Sequence, residues 1–212
     1  NHTLETMAQT IFKEWFGNKL FDGKVVRLGD IVSIRGGYSY KGKELGMGSS
    51  LLLGMGCVSY SQRFLTKGAR LYADNAPEKF LSTPGEIVLA TRQQSENLPI
   101  LGVPAIIPEE FKGRRVFIGT NLYKVINNSF LNNETLFSIF RSKAYRNHIL
   151  KNSSGTTVKM ITKDSVESFE FKMPNKNTVD QYQKTVKPLI DKLKTNNIQI
   201  QSLTKTRDTL LP

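Results

Sequence analysis

The spacing of apolar residues along the chain changes twice and divides it into three segments. In the first, from Asn1 to about Asn18, apolar residues recur at helical spacing at Leu4, Met7, Ile11 and Trp15. Gly17 then follows as a C-cap, so the pattern predicts a short helix over residues 1–18. A helix of this length is not stable alone in water and needs a helix or domain on which to pack.

The second segment, residues 19–174, carries most of the glycines and many short apolar runs, such as Val25–Ile34, Ile87–Ala90 and Leu122–Ile126. Turn signals separate these runs at residues 35–37, 83–85 and 127–128, which predicts strands. Helical spacing replaces the strand pattern from Asn133 to about Lys151. The segment is therefore predicted to be an α+β domain, rich in β-strands with a few short helices.

The third segment, residues 175–212, predicts one long helix. Thr178 with Gln181 three residues later matches a capping box and predicts the start of this helix. Positions then alternate by three and four, and eight of these ten are apolar: Val179, Tyr182, Val186, Leu189, Leu193, Asn196, Ile200, Leu203, Arg207 and Leu210. A helix of this length would span about 50 Å and cannot bury its own apolar seam, so it needs a parallel or antiparallel partner.

Two residues interrupt the regular seam, and a proline lies within the predicted helix. Asn196 is polar at a core position, where such a residue commonly fixes the register of paired helices, and we expect pairing to end at Arg207. Pro188 removes one backbone hydrogen bond, so we expect a kink there. The alternative for this segment is a helix that docks on its own domain, although it exceeds the usual helix length of about 11–12 residues.

Charge suggests the class of partner. The formal net charge is +12, which favours an anionic partner such as nucleic acid or a membrane surface, or else only a soluble basic protein. No apolar run approaches the roughly 18 residues that a membrane span requires. The single cysteine, Cys57, cannot form an internal disulfide, which fits a cytoplasmic location.

Catalytic and metal-binding motifs are not apparent in the sequence. His2 and His148 lack metal-ligand spacing, and Gly46-Met47-Gly48 and Gly54-Met55-Gly56 do not extend into nucleotide-binding patterns, so we interpret both as turns or tight packing. The chain also lacks the Pro-Pro pair of the motif seen in amino-group DNA methyltransferases. We therefore predict a non-catalytic chain that binds no metal and no cofactor.

Basic residues cluster in two stretches that suit duplex DNA. Residues 24–72 contain eight basic and two acidic side chains, and residues 141–163 contain six basic and no acidic ones. Lysine and arginine can neutralise phosphates, while arginine, glutamine and asparagine can read base edges. Loops at 35–43, 91–95 and 151–159 supply most of the candidate DNA contacts, which are Arg35, Tyr38, Tyr40, Lys41, Lys43, Arg63, Arg92, Gln93, Gln94, Lys151, Ser154, Thr156, Thr157 and Lys159.

Four stretches, taken in order, resemble the specificity subunits of type I restriction–modification systems. Residues 25–37 resemble the start of a target-recognition domain, and residues 153–174 resemble its end. Residues 203–212 resemble the far end of a conserved spacer helix, and residues 4–16 resemble the piece that follows a preceding spacer helix. The resemblance covers nearly the whole chain.

The resemblance implies sequence-specific recognition of double-stranded DNA at a bipartite site. Methyltransferase (M) subunits would bind S-adenosylmethionine, and restriction (R) subunits would use ATP and Mg²⁺. Such subunits usually carry two recognition domains, so this chain is either half of a longer protein or a half-length subunit that forms a homodimer through its helix. One alternative function is a protein-interaction module that recruits a partner through the heptad helix. The other is a DNA methyltransferase or nuclease, which the missing motifs oppose.

Overall fold

The computed structural model describes residues 1–17, 23–93 and 100–210. Within these residues the helices are α1 (His2–Phe16), α2 (Asn133–Phe140), α3 (Lys143–Lys151), α4 (Lys163–Glu167) and α5 (Lys176–Leu210). The strands are β1 (Lys24–Arg27), β2 (Val32–Gly36), β3 (Leu45–Leu53), β4 (Arg70–Tyr72), β5 (Leu81–Ser82), β6 (Ile87–Ala90), β7 (Arg92–Gln93), β8 (Pro104–Ile106), β9 (Val116–Ile118), β10 (Leu122–Asn127), β11 (Lys159–Met160) and β12 (Glu170–Met173). These elements confirm the predicted α+β class with a long C-terminal helix.

The chain divides into two compact units, which we describe separately. The first unit contains Asn1–Lys24 and Met173–Pro212, and the second contains Val25–Lys172. The helical unit is formed by the two ends of the chain, whereas the second unit holds the sheets and the short helices.

In the helical unit, α1 runs antiparallel along the first half of α5. Asn1 lies beside Asn196 and Asn197 at one end of the pair, and Phe16 packs edge-on against Tyr182 at the other, with 4.6 Å between ring centroids. The buried residues of α5 are Val179, Tyr182, Val186, Ile190 and Leu193. The first half of the predicted seam is therefore covered by a helix of the same chain.

The structure adds three details to the predicted helices, and one prediction, the capping box at Thr178, is wrong. The N-terminal cap of α5 is formed by Asn175, whose side chain accepts a hydrogen bond of 2.9 Å from the Thr178 N–H, so Thr178 does not begin a capping box. Ile190 is buried, and Leu189 is partly buried and packs against the same cluster of Ala8, Ile190 and Leu193. In α1, Met7 is exposed and Ala8 is buried, since the small side chain allows close approach to α5. Pro188 lies inside α5, and its kink stays a prediction.

In the second unit, strands form two main sheets among the described residues, with the orders β2-β10-β6-β8 and β4-β3-β9-β5. The first is antiparallel throughout, and the second contains the parallel pair β3 and β9. Apolar side chains from both sheets, including Leu53, Val88, Ile118 and Leu122, share one buried cluster. The core therefore lies between the two sheets.

The strand predictions at Ile87–Ala90 and Leu122–Ile126 are confirmed. Two other predicted stretches each form two shorter elements. The run Val25–Ile34 is broken by a 3-10 turn at Leu28–Asp30, whose Asp30 side chain accepts from the Arg27 N–H. The helical stretch predicted from Asn133 to about Lys151 forms two helices, because Ser142 acts as an N-cap and accepts from the Tyr145 N–H.

Glycines at 46 and 48 produce a bulge in β3. Both have positive φ, and Leu45 and Ser50 both pair with Tyr72, so residues 46–49 bulge out of the strand. A Cβ atom at Gly48 would lie 2.4 Å from the Tyr72 carbonyl oxygen, which requires glycine there. The tight-packing interpretation of this G-x-G fragment is thus confirmed.

Candidate nucleic-acid interface

Two of the three predicted DNA-binding loops leave the same end of one sheet. Strands β2 and β6 both pair antiparallel with β10, so they run parallel to each other and end together. Gly36, Tyr123 and Leu89 lie in one row across these strands, which places Gly36 about 10 Å from Leu89. We call the end of the sheet at which β2 and β6 end and β10 begins the loop edge.

The third loop joins the second through backbone hydrogen bonds. Strand β7 pairs antiparallel with β11, with Gln93 opposite Lys159 and Arg92 opposite Met160. Met160 in turn exchanges two hydrogen bonds with Ser154, of 2.8 and 2.9 Å. The Ile161 N–H donates to the Thr91 carbonyl oxygen over 3.1 Å, which ties this small sheet to the end of β6. Segments 37–44, 91–93 and 151–159 are therefore all anchored at the loop edge.

The first loop is fixed to the sheet by its tyrosines and a glycine. The Tyr38 N–H donates to the Ile118 carbonyl over 2.7 Å, and the Tyr38 carbonyl accepts from the Thr120 hydroxyl over 2.9 Å. A Cβ atom at Gly37 would lie 2.0 Å from the Gly119 carbonyl oxygen. The rings of Tyr38 and Tyr40 are partly buried and pack around Tyr72, so their observed contacts are with the protein.

Cationic and hydroxyl side chains at the loop edge are mostly exposed. Arg35, Lys41, Lys43, Arg92, Lys151, Ser154, Thr156 and Thr157 are exposed, and Gln93 and Lys159 are partly buried. The Arg35 guanidinium donates to the Lys79 carbonyl over 3.1 Å. Segments 35–43, 91–93 and 151–159 contain no acidic residue. Gln94 lies outside the described residues.

Arg63 lies away from the loop edge. Its guanidinium is paired with the Glu134 carboxylate and stacks 4.5 Å above the Phe137 ring centroid, and its side chain is only 15% exposed. Its carbonyl accepts from the N–H of Ile106, which pairs with Ile87 at the opposite end of the sheet. Because the charge is already neutralised and largely buried, we leave Arg63 out of the candidate interface.

Sequence reasoning missed two groups of residues at or near the loop edge. The turn at Thr120 and Asn121 lies at the start of β10, where the Asn121 carbonyl accepts from the Thr91 N–H over 3.1 Å. Glu44, Tyr72 and Asn75 form a hydrogen-bonded group beneath the first loop. A Gly-Thr-Asn turn between apolar runs was visible in the sequence, but its location required the strand order.

Other chemistry in the described part of the chain is limited. No three or more His, Cys, Asp or Glu residues are grouped there in a way that could hold a metal ion. Burial raises the pKa of the Cys57 thiol to about 11, so it stays protonated and is a poor nucleophile at neutral pH. Among the described residues, no helix has both the length and the apolar character needed to span a membrane.

The sequence profile of the type I restriction modification DNA specificity domain matches residues 22–205. This match covers most of the chain, and the protein therefore belongs to that family. A search of curated protein sequences gives no significant match.

Solved structures with the same fold are specificity subunits and a chain from a type I system. The HsdS subunit from Thermoanaerobacter tengcongensis aligns with a TM-score of 0.53 and 19% identity, over 88% of this chain and 45% of that one. The type I restriction–modification S subunit from M. genitalium aligns with a TM-score of 0.58 and 14% identity, over 91% and 45%.

A third similar chain comes from a structure that addresses complex assembly and conformational transition of the type I R-M system. It aligns with a TM-score of 0.57 and 19% identity, over 99% of this chain and 49% of that one. The protein thus spans about half the length of the solved chains that it matches. At these identities the comparison supports the fold.

Proposed function

We propose that this chain reads one half of a bipartite DNA site as the specificity component of a type I restriction–modification system. The observation that carries the proposal is the convergence of three basic segments without acidic residues, 35–43, 91–93 and 151–159, at one loop edge. Polar loops with lysine and arginine suit the positioning contacts that proteins make with phosphates. Family membership makes duplex DNA the expected ligand.

The residues at the loop edge divide by chemistry into two roles. Arg92 and Gln93 carry planar groups that can form paired hydrogen bonds with base edges in the major groove, and Gln94, which follows them in the sequence, carries the same group as Gln93. Lysines and hydroxyls favour phosphate oxygens, and these are Lys41, Lys43, Lys151, Lys159, Ser154, Thr156 and Thr157. Arg35 can serve either role, whereas Tyr38 and Tyr40 act by holding the first loop in place.

The proposed complex supplies its catalytic groups from other subunits. Methyltransferase subunits hold S-adenosylmethionine, and restriction subunits use ATP and Mg²⁺, while this chain contributes recognition and assembly. The second half of α5 presents Ile200, Leu203 and Leu210 on an exposed surface, which supports pairing with another helix. That helix belongs to a second copy of this chain or to the other half of a longer subunit.

The test first selects a DNA sequence that the protein binds and then measures the affinity for it. The full chain, together with its methyltransferase subunit, is used to enrich sequences from a random duplex library, and affinity for the enriched duplex is followed across salt concentration. We expect Lys41→Ala to flatten the log–log salt slope by about one. Arg92→Ala is expected to cost roughly 1–3 kcal/mol and to relax the preference at one base position.

Lys112→Ala is the matched control, because Lys112 is exposed on a turn next to the end of the sheet opposite the loop edge. It is expected to leave both the salt slope and the base preference nearly unchanged. The proposal fails if no sequence is enriched, or if Lys41→Ala and Arg92→Ala behave like the control.

A further inference from the structure

One carboxylate closes the first loop of the candidate interface. Glu44 Oε2 accepts hydrogen bonds from the Lys41 N–H over 3.0 Å and from the Tyr72 hydroxyl over 3.3 Å. Its Oε1 accepts from the Asn75 side-chain amide over 3.0 Å. The Glu44 N–H also donates to the Lys41 carbonyl, so the segment from Lys41 to Glu44 is closed at both ends.

Tyr72 anchors this group to the core. Its side chain is 0% exposed, and its ring lies 6.3 Å from that of Tyr38, 6.5 Å from that of Tyr40 and 5.9 Å from that of Phe117. Its hydroxyl lies within hydrogen-bond distance of both Glu44 and Asn75. The two tyrosines of the loop and the carboxylate that ends it therefore bind one fixed side chain.

The protonation states of Glu44 and Tyr72 favour this arrangement at neutral pH. The Lys41 N–H, and then the Asn75 amide, lower the pKa of the Glu44 carboxyl, so it remains an ionised acceptor. Burial raises the pKa of the Tyr72 hydroxyl, which remains a protonated donor.

The charge of Glu44 is unfavourable for the proposed ligand. Lys41 and Lys43, which are candidate phosphate contacts, lie directly before it in the chain. An anion at this position repels DNA phosphates, so electrostatics alone predicts that removing it strengthens DNA binding. By holding the loop in its binding conformation, Glu44 can offset this repulsion, since a preformed loop loses less conformational entropy when it binds DNA.

We propose that Glu44, acting through Lys41 and Tyr72, is a positioning residue that holds segment 37–44 in its DNA-reading shape. This inference rests on the proposed function and extends it to a residue that need not contact DNA. It predicts that loss of the carboxylate weakens binding to the selected duplex although the net charge becomes more positive.

Two substitutions at Glu44 separate geometry from charge, because both remove the same negative charge. Glu44→Gln keeps one oxygen that can accept from the Lys41 N–H, whereas Glu44→Ala keeps none. In the full chain with its methyltransferase subunit, we expect Glu44→Ala to weaken binding to the selected duplex on the order of tenfold. Glu44→Gln should weaken it less, and binding to a scrambled duplex should stay equal or increase.

Tyr72→Phe adds an independent test, since it keeps the buried ring and removes only the hydroxyl. It is expected to reduce the preference for the selected duplex about two- to fivefold. Thermal unfolding of each variant shows whether the fold is retained. If Glu44→Ala does not fold, the inference is tested by Glu44→Gln and Tyr72→Phe, which should both reduce the preference for the selected duplex.

The inference is overturned if Glu44→Gln and Glu44→Ala strengthen binding equally, or if both leave the preference for the selected duplex unchanged. Failure of the proposed function gives a different result, since the wild-type chain itself would then show no preference for any duplex. If the wild-type chain and both Glu44 variants prefer the selected duplex equally, only the positioning role of Glu44 is disproved, and the proposed function stands.

Discussion

The two halves of α5 repeat the same apolar spacing in different surroundings. In the first half, Tyr182 and Leu193 are 2% and 1% exposed, because α1 packs against them. In the second half, Leu203 and Leu210 are 69% and 75% exposed. The periodic apolar seam therefore indicates that α5 can pair with another helix. Its side chains are buried only where a second helix lies alongside.

The largest effect is expected at Tyr182, whose ring packs with those of Phe12 and Phe16 at 5.9 and 4.6 Å. Tyr182→Ala removes this aromatic contact and should lower the free energy of unfolding by about 3–5 kcal/mol. Urea denaturation of the full chain measures the change, and Tyr182→Phe, which keeps the ring, should retain most of the stability. A loss below about 1 kcal/mol for Tyr182→Ala would contradict the observed packing.

A leucine from each half of α5 provides a matched pair. Leu193→Ala creates a cavity against α1 and should cost about 2–4 kcal/mol. Leu203→Ala makes the same chemical change at an exposed position and should alter the free energy of unfolding by less than about 0.5 kcal/mol at low protein concentration. Equal losses in the two variants would mean that the two halves do not differ as described.

Sequence periodicity could predict the long helix and the β-rich domain because both depend on local patterns. It could not identify the partner of the seam, since α1 is almost the whole chain length away from α5 in sequence. Details that depend on local side-chain contacts could not be predicted either: Asn175 caps α5 in place of Thr178, and Ser142 separates α2 from α3. Both outcomes depend on which polar side chain reaches a free backbone N–H.

Residue type could identify loops suited to DNA but not how they assemble. Arg92 and Lys159 are far apart in sequence, and only the pairing of β7 with β11 brings their segments together. Arg63 had the right chemistry, yet its pairing with Glu134 depends on where α2 packs. Glu44 could not be identified from the sequence, because its partners Tyr72 and Asn75 lie about 30 residues further along the chain.

The exposed half of α5 can also be tested by its association. Leu203→Lys places a charge on the proposed pairing surface and should raise the dissociation constant of the paired helices at least about tenfold, through the loss of roughly 1–2 kcal/mol of apolar burial. Because Leu203 is exposed in the single chain, the unfolding free energy at low concentration should not change. Sedimentation of the full chain over a range of concentrations measures the effect. A wild-type chain that stays monomeric throughout would contradict pairing between copies.

The smallest effect is expected where the covered half of α5 gives way to the exposed half. Asn196 donates to the Asn1 side-chain oxygen over 3.1 Å, and the Asn1 amide donates to the Asn197 side chain over 2.5 Å. These contacts are exposed to water, so Asn196→Ala should cost no more than about 0.5 kcal/mol. Adding Asn1→Ala in a double-mutant cycle should give a coupling energy of similar size, measured by urea denaturation. A coupling energy of about 2 kcal/mol would instead mean that these asparagines hold α1 in register, and that polar contacts as well as the apolar seam determine where α1 lies on α5.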